Sequence, residues 1–225
     1  MLDDATRKRA TVWVAILTFS AGFTNAEATI GSTFAVSHQT GNVTQLAIAI
    51  KDGSWTLFAI YLALIACFFI GSVIAGALFY QCEIGRSKQY GLFSLTQGII
   101  YVALSLIVPL SWNLALYLFA ALSLGVQNGI LKSFRGITSR TTHMTGYLTD
   151  AGVVVGERLR GKRGDTWKSW YFLLHVGIFI VGTLAGAILR PMLLRYTVTV
   201  AGVIQMICGV VYLGYVNTSE KRHIH

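Results

Sequence analysis

The chain has 225 residues, of which 54% are hydrophobic and only 12% are charged. An ordinary soluble domain has about 25% charged residues, so this composition excludes a water-soluble globular protein. A net charge of +9 would suit a nucleic-acid-binding protein, but in an apolar chain Lys and Arg mark the cytoplasmic loops of a membrane protein. We therefore expect no nucleic-acid partner and use the charges to infer topology.

Six apolar segments are long enough to cross a bilayer as helices, which takes roughly 20 residues each. They lie at about 10–30, 55–80, 91–109, 113–131, 169–189 and 196–216. Two shorter helical segments, at about 39–50 and 144–157, are predicted to enter the membrane without crossing it. No cleavable signal is recognised, so the first segment is kept as part of the fold.

The positive charges favour six spans with both termini in the cytoplasm. In that arrangement 15 of the 18 Lys and Arg residues lie inside and 3 lie outside. If the two short segments also crossed, the division would be 11 inside and 7 outside. Because Lys and Arg accumulate in cytoplasmic loops, six spans are predicted.

Two short polar phrases repeat within this apolar chain. SHQTGNVT, from Ser37, has a near copy in THMTGYLT, from Thr142. Upstream of each phrase, SAGFTN from Ser20 matches SLGVQN from Ser123. The agreement predicts an internal duplication, with repeat A over residues 1–109 and repeat B over residues 110–225.

A third match places Ala75-Gly76-Ala77 against Ala185-Gly186-Ala187. Each repeat then holds three spans, and an odd number inserts the second repeat upside down relative to the first. Inverted repeats with interrupted helices are typical of transporters that bind their solute near the bilayer midplane. The predicted fold is an all-α integral membrane protein with six transmembrane helices and two short re-entrant half-helices.

Each repeated phrase has the residues of a helix start. Ser, Thr and Asn can accept the first free backbone N–H groups, and Gly lets a ligand come close. A helix that begins inside the membrane directs unpaired N–H donors and a positive dipole end at a small anion or polar solute. The predicted solute-binding residues are Asn25, Glu27, His38, Gln39, Thr40, Gly41, Asn42, Asn128, His143, Thr145, Gly146, Thr149 and Asp150.

Some of these residues are ionisable, and ionisable groups inside a membrane are costly and usually functional. Glu27 lies near the end of the first span, and Asp150 follows the second phrase. His38, His143 and His175 are candidates for proton handling because imidazole changes charge near neutral pH. The alternative is that Glu27 and Asp150 lie at the membrane interface, where Asp150 could pair with Arg158.

Helix packing is the competing explanation for the small and hydroxyl residues, which commonly join membrane helices. Ser72-xxx-Gly76 and Gly182-xxx-Gly186 are assigned to such packing, within the chain or in the homodimer that a protein of only six spans is expected to form. The sequence shows no catalytic, cofactor-binding or metal-binding motif, so no enzyme activity, cofactor or metal is predicted. A basic run anchors a cytoplasmic loop or contacts anionic lipid head groups through Arg158, Arg160, Lys162 and Arg163.

The two phrases in their context resemble a known family. AGFTNAEATIGSTFAVSHQTGNVTQLA, from Ala21, and GVQNGILKSFRGITSRTTHMTGYLTDAG, from Gly125, are similar to the YoaK-type proteins, also catalogued as the domain of unknown function DUF1275. The resemblance covers essentially the whole chain and implies a bacterial inner-membrane protein without an assigned activity. The family often has an aspartate where this chain has Asn25, which puts a proton-handling role at that position in doubt.

The sequence thus favours a small permease for a small polar or anionic solute, with proton coupling as an option. This function rests on analogy with other inverted-repeat proteins. The alternatives are a non-transporting membrane protein, such as a lipid-binding or assembly factor, and an intramembrane enzyme.

Overall fold

A computed structural model describes residues 4–32, 34–109, 113–131, 137, 139–162 and 164–222. These residues are almost entirely helical. A short 3-10 helix, Leu194–Tyr196, joins the last two α-helices. The α-helices are α1 Asp4–Ser32, α2 Gln39–Lys51, α3 Trp55–Leu78, α4 Gln89–Ile107, α5 Asn113–Ile130, α6 Met144–Leu159, α7 Thr166–Leu193 and α8 Thr197–Arg222.

Five of the described helices, α3, α4, α5, α7 and α8, are long and apolar enough to cross a membrane. Their apolar segments differ in exposure: 11% of the α3 segment is buried within the protein, against 61% of the α5 segment. Helix α1 coincides with the first predicted span and has 29 residues, but it carries more polar and charged side chains than those five helices. The chain is therefore an all-α membrane protein with α5 in the interior and α3 at the periphery.

The helices pack in pairs that recur between the two halves of the chain. Helix α1 packs along α7, and α3 packs along α5. The short helix α2 lies against α3, as α6 lies against α7, while α4 packs along α8. When α1 to α4 are exchanged for α5 to α8, the α1–α7 pair becomes α5–α3, the α2–α3 pair becomes α6–α7, and the α4–α8 pair becomes itself.

Glycines let the paired helices approach with their backbones in contact. A methyl group at Gly22 would overlap the Phe179 carbonyl of α7, and one at Gly125 would overlap the Phe68 carbonyl of α3. One hydroxyl reinforces the first crossing, since Thr183 Oγ1 donates to the Gly22 carbonyl at 3.3 Å. Such small-residue contacts replace the hydrophobic driving force that helices lack in lipid.

The second crossing repeats these contacts at matching positions. Ser72 Oγ donates to the Gly125 carbonyl at 3.3 Å, as Thr183 does to Gly22. Ser72 therefore corresponds to Thr183. The alignment of Ala75-Gly76-Ala77 with Ala185-Gly186-Ala187 pairs Ser72 with Gly182 instead, one residue earlier. The sequence alignment was wrong by one residue because it matched identical side chains. The contact between two helix backbones requires only that the residue be small, whichever small residue it is.

The two predicted small-residue faces have different outcomes. A methyl group at Gly182 or Gly186 would meet the α1 backbone at Phe19 and Phe23, so this face packs as predicted. A methyl group at Gly76 would have nothing within 4 Å in the described structure. The prediction that Gly76 joins helices within the chain was therefore wrong.

We predict that the glycine crossing between α3 and α5 tolerates no added methyl group. Gly125→Ala should lower the free energy of unfolding by about 1–3 kcal/mol, because the methyl group overpacks against backbone that cannot rotate away. Thermal unfolding of the purified protein measures this change. Gly177→Ala is the matched control, since its methyl group meets nothing within 4 Å, and it should leave the melting temperature unchanged or slightly higher. Equal effects of both substitutions would contradict the prediction.

Candidate functional site

The two repeated phrases meet at one cavity of about 450 Å³. Both α2 and α6 begin at its wall, so segments about a hundred residues apart in sequence face each other across it. The lining residues come from both phrases and from α1, α3, α5 and α7. They are Asn25, Ser37, His38, Gln39, Thr40, Phe68, Asn128, Arg140, Thr142, His143, Met144, Thr145 and Phe179.

Each short helix begins directly after a histidine that lines the cavity. His38 precedes α2 and His143 precedes α6, and neither makes a side-chain capping hydrogen bond. The first four N–H groups of a helix have no acceptor within the helix, and they carry the positive end of its dipole. Two helix starts therefore give the cavity a positive character that suits an anion or an electronegative atom.

The glycine in each phrase makes room for the histidine ring. A methyl group at Gly41 would overlap the imidazole of His38, and one at Gly146 would overlap the imidazole of His143. Each ring therefore folds over the first turn of its own helix, where any larger residue would displace it. This contact gives a physical reason for the glycine in both phrases.

An asparagine anchors each phrase to the helix that precedes it. Asn25 Oδ1 accepts hydrogen bonds from Ser37 Oγ at 2.8 Å and from the Ser37 N–H at 3.4 Å. Asn128 Oδ1 likewise accepts from the Thr142 N–H at 3.2 Å, and its Nδ2 donates to Thr142 Oγ1 at 2.5 Å. Asn25 and Asn128 were aligned from sequence, and they hold equivalent positions at the cavity.

The charges at the cavity are positive. Arg140 lines the wall with an exposed side chain, and the lining residues include no carboxylate. Two histidines add nitrogen donors or acceptors. Among the described residues no three His, Cys, Asp or Glu side chains are grouped as metal ligands. The lining chemistry therefore suits a small anion or a polar neutral solute rather than a cation.

The structure divides the predicted binding residues into three groups. Gly41 and Gly146 lie beneath the histidine rings, and Asn42 is buried and donates to the Ala35 carbonyl at 2.8 Å. Thr149 and Asp150 are exposed and absent from the cavity lining. The residues that line the cavity are Asn25, His38, Gln39, Thr40, Asn128, His143 and Thr145.

Thr149 and Asp150 are placed away from the cavity by the length of α6. Thr149 lies one turn beyond Thr145, and its hydroxyl donates back to the Thr145 carbonyl at 2.9 Å. Asp150 follows on the exposed side, with no ion pair to Arg158 among the described side chains. Only the first turn of each short helix lines the cavity, and solute binding by Thr149 and Asp150 stays a prediction.

Glu27 also lies outside the cavity lining, in an ion pair between α1 and α7. Arg190 Nε lies 3.1 Å from Glu27 Oε1, and the two side chains are 15% and 6% exposed. The Tyr117 hydroxyl and the Arg190 guanidinium both lie beside Gly31, where a larger residue would displace them. The Glu27 carboxylate is therefore paired with a cation of the protein itself.

Several lining residues were not predicted, although four of them lie within or beside the repeated phrases. Ser37, Arg140, Thr142 and Met144 directly precede or begin the short helices, so the phrases could have indicated them. Phe68 and Phe179 come from the glycine crossings of α3 and α7, and no local motif marks them. Their contribution depends on how the helices cross.

The described residues of the basic run, at the end of α6 and just after it, are exposed. Lys162 Nζ lies 2.8 Å from Glu157 Oε2, and this hydrogen bond raises the pKa of the Lys162 ammonium. Arg158 and Arg160 are exposed. Arg163 lies outside the described residues, and contact of this run with lipid head groups stays a prediction.

We predict that Arg190 is costly to leave unpaired. Glu27→Gln should lower the free energy of unfolding by about 3–5 kcal/mol, because removing one partner of a buried pair leaves the other charge uncompensated. The double variant Glu27→Gln/Arg190→Met should recover most of that loss. Thermal or denaturant unfolding of both variants measures the difference. A double variant no more stable than Glu27→Gln would contradict the prediction.

The chain was compared with known families, curated proteins and solved structures. The model of the family described as "Protein of unknown function (DUF1275)" matches residues 13–211. No curated protein and no solved structure matches. The family match covers most of the 225 residues, so the chain belongs to the DUF1275 family, as the resemblance of its two repeated phrases predicted.

Proposed function

We propose that this protein is a small permease for a small anionic or polar solute, which binds in the cavity between α2 and α6. The observation that carries the proposal is the convergence of two helix starts on one positively charged cavity. In this proposal α1 is the sixth span, and α2 and α6 are half-helices. The protein lies in a bacterial inner membrane with both termini in the cytoplasm.

The repeated contacts support an inverted duplication. Helices α1, α3, α5 and α7 form two crossings with equivalent glycine and hydroxyl contacts, and α4 packs along α8. Each repeat contributes three spans, so a twofold axis that relates them lies in the membrane plane. The cavity then lies at the repeat interface, where inverted-repeat transporters bind their solutes.

The lining favours an anion of modest size. The N–H groups of two helix starts and the guanidinium of Arg140 can donate hydrogen bonds to an oxyanion without a change of fold. Phe68 and Phe179 occupy equivalent positions and supply an apolar part of the wall. A volume of about 450 Å³ is within the usual range of roughly 300–1,000 Å³ for small-molecule sites.

The two helix pairs are closed by different contacts, one ionic and one apolar. This difference suits a cavity that opens to alternating sides of the membrane. Glu27 and Arg190 join α1 to α7 at one end. The equivalent positions on α5 and α3 are Ile130 and Phe79, which belong to one buried apolar cluster. In an inverted arrangement the ionic contact closes the outer side and the apolar contact closes the cytoplasmic side.

A second candidate function is a non-transporting lipid-binding or assembly factor. The observation that favours it is that the Asn25 and Asn128 amides also serve helix packing. A homodimer stays a prediction, as does proton coupling through His38 and His143. Solute binding separates the two functions, because a packing role needs no solute.

We predict that the threonines at the helix starts contribute to solute binding. Thr40→Val and Thr145→Val should each weaken binding of a small oxyanion by about tenfold, the loss expected for one hydrogen bond of about 1.4 kcal/mol. Binding to the purified protein can be measured by thermal shift and flux by reconstitution into liposomes. Thr44→Val and Thr149→Val are matched controls, since both residues are exposed one turn away and outside the lining.

Arg140→Gln extends the same test, and it should weaken anion binding by a larger factor than either threonine substitution. If Thr40→Val and Thr145→Val lower stability while no solute shifts the melting temperature of the wild-type protein, the packing role is correct and the permease is rejected.

We predict opposite accessibility of the ends of the two short helices. In a variant without the native cysteines Cys67, Cys82 and Cys208, a cysteine at position 51, at the end of α2, should react with an impermeant thiol reagent from outside. A cysteine at position 160, just after α6, should react from inside. Labelling of sealed and inverted membrane vesicles measures both. Reaction of both positions from one side only would overturn the inversion.

A further inference from the structure

A buried cluster of uncharged polar side chains lies where α1, α4, α5 and α8 meet. Three glutamines form its centre: Gln97 of α4, Gln127 of α5 and Gln205 of α8, which are 3%, 0% and 1% exposed. None of them lines the solute cavity. Buried amides carry a desolvation cost unless they are hydrogen-bonded, so this cluster requires an explanation.

One part of the cluster is connected to the solute cavity by hydrogen bonds. Asn128, which lines the cavity, accepts from Thr141 Oγ1 at 3.3 Å. Thr141 Oγ1 in turn accepts from Gln127 Nε2 at 2.7 Å, and Gln127 Oε1 accepts from Gln205 Nε2 at 3.2 Å. Gln205 Nε2 also donates to Ser20 Oγ at 2.9 Å. A continuous polar path therefore runs from the cavity wall to α8.

The other part of the cluster has buried polar atoms without protein partners. Both amide atoms of Gln97, Oε1 of Gln205 and the Tyr101 hydroxyl make no hydrogen bond in the described structure. The Tyr101 hydroxyl faces the side chains of Thr24, Ser123 and Gln97 outside hydrogen-bond geometry. Each unpartnered buried group requires an explanation, and a bound water molecule or ion is one that would satisfy several of them at once.

Gln97 and Tyr101 lie one turn apart on α4, and Gln205 lies on α8, which packs along α4. Gln205 contacts Ser20 of α1, and Tyr101 faces Thr24 one turn further along α1. Residues four apart on a helix are separated by about 5–6 Å. On α4 and α8 the supporting turns are held together at Gly98 and Gly202, where each glycine faces the backbone of the other.

We propose that this cluster binds a small monovalent cation that is transported together with the anionic solute. The ligands are the carbonyl oxygens of Gln97 and Gln205 and the hydroxyl oxygens of Tyr101, Thr24 and Ser123. Neutral carbonyl and hydroxyl oxygens can replace the hydration shell of an alkali cation without adding a buried negative charge. The role in transport rests on the proposed permease function, whereas cation binding itself does not.

The charge of the solute gives a reason for such a site. A membrane potential of 100 mV, negative inside, opposes accumulation of a monovalent anion by roughly 50-fold. A cation carried in the same step cancels this opposition, because the pair moves no net charge. Glu27 is already paired with Arg190, so it is not free to bind a coupling cation.

Na⁺ is the probe that tests the site, with no solute present. The purified full-length protein is melted in chloride salts of Na⁺, K⁺ or choline at constant pH and ionic strength. We expect an alkali cation at about ten times its dissociation constant to raise the melting temperature of the wild-type protein by about 3–6 °C. Gln97→Leu should abolish the shift, and its melting temperature without alkali cation should equal or exceed that of wild type, because it removes unpartnered polar atoms.

Two further variants separate cation binding from a general effect of salt. Gln97→Glu should keep or strengthen the shift, since a carboxylate oxygen still faces the cation. Gln81→Leu, at an exposed position outside the cluster, should respond like wild type. A response to either alkali cation that Gln97→Leu removes supports the site, and the larger response identifies the ion. No response, or one that persists in Gln97→Leu, overturns the proposal and leaves ordered water as the occupant.

The interpretation of the solute-binding experiments does not depend on the result of the cation experiment. If the wild-type protein binds an oxyanion but shows no response to either alkali cation, the cation site is overturned and the permease stands. A cation response in a protein that binds no solute would support the site and reject its role in transport.

Discussion

Close approach of helix backbones at glycines is the constraint on which the rest of this structure depends. At Gly22 and Gly125 the carbonyl of one helix occupies the space where any other residue would have its Cβ. In lipid the hydrophobic effect does not drive helices together, so close van der Waals contact and hydroxyl hydrogen bonds must hold them together. The same crossings place Phe68 and Phe179 at the cavity and bring the two helix starts to one place.

Polar groups in this protein are placed where protein rather than lipid surrounds them. In the proposed permease the non-helical backbone before α2 and α6 lies at membrane depth, where it is tolerated because it lines a cavity and is anchored by Asn25 and Asn128. The buried charges of Glu27 and Arg190 neutralise each other between two helices. The glutamines occupy the interior of the molecule. Each buried polar side chain is therefore paired with a specific neighbouring group or is a candidate ligand for a bound cation.

The two halves share a framework but differ in chemistry at the cavity. Arg140 in the second half corresponds to Ala35 in the first, and Thr141 corresponds to Val36. The positive side chain and the polar path to Gln205 therefore belong to one half. If the repeats are inverted, this difference gives the two routes into the cavity different electrostatics, although the helix crossings that form them are equivalent.

The sequence by itself determined the membrane class, the helix positions, the family and the pairing of the two repeated phrases. These features depend on local composition and on matches between short segments, and both can be recognised without knowing how the helices pack. Only the tertiary structure decided that Glu27 pairs with Arg190 instead of facing the cavity, and that Thr149 and Asp150 lie beyond the one helical turn that reaches it. It also decided that Gln97, Tyr101 and Gln205 form a buried cluster. Long-range contacts between helices fix these arrangements, and a side chain's type does not specify which neighbouring helix it will meet.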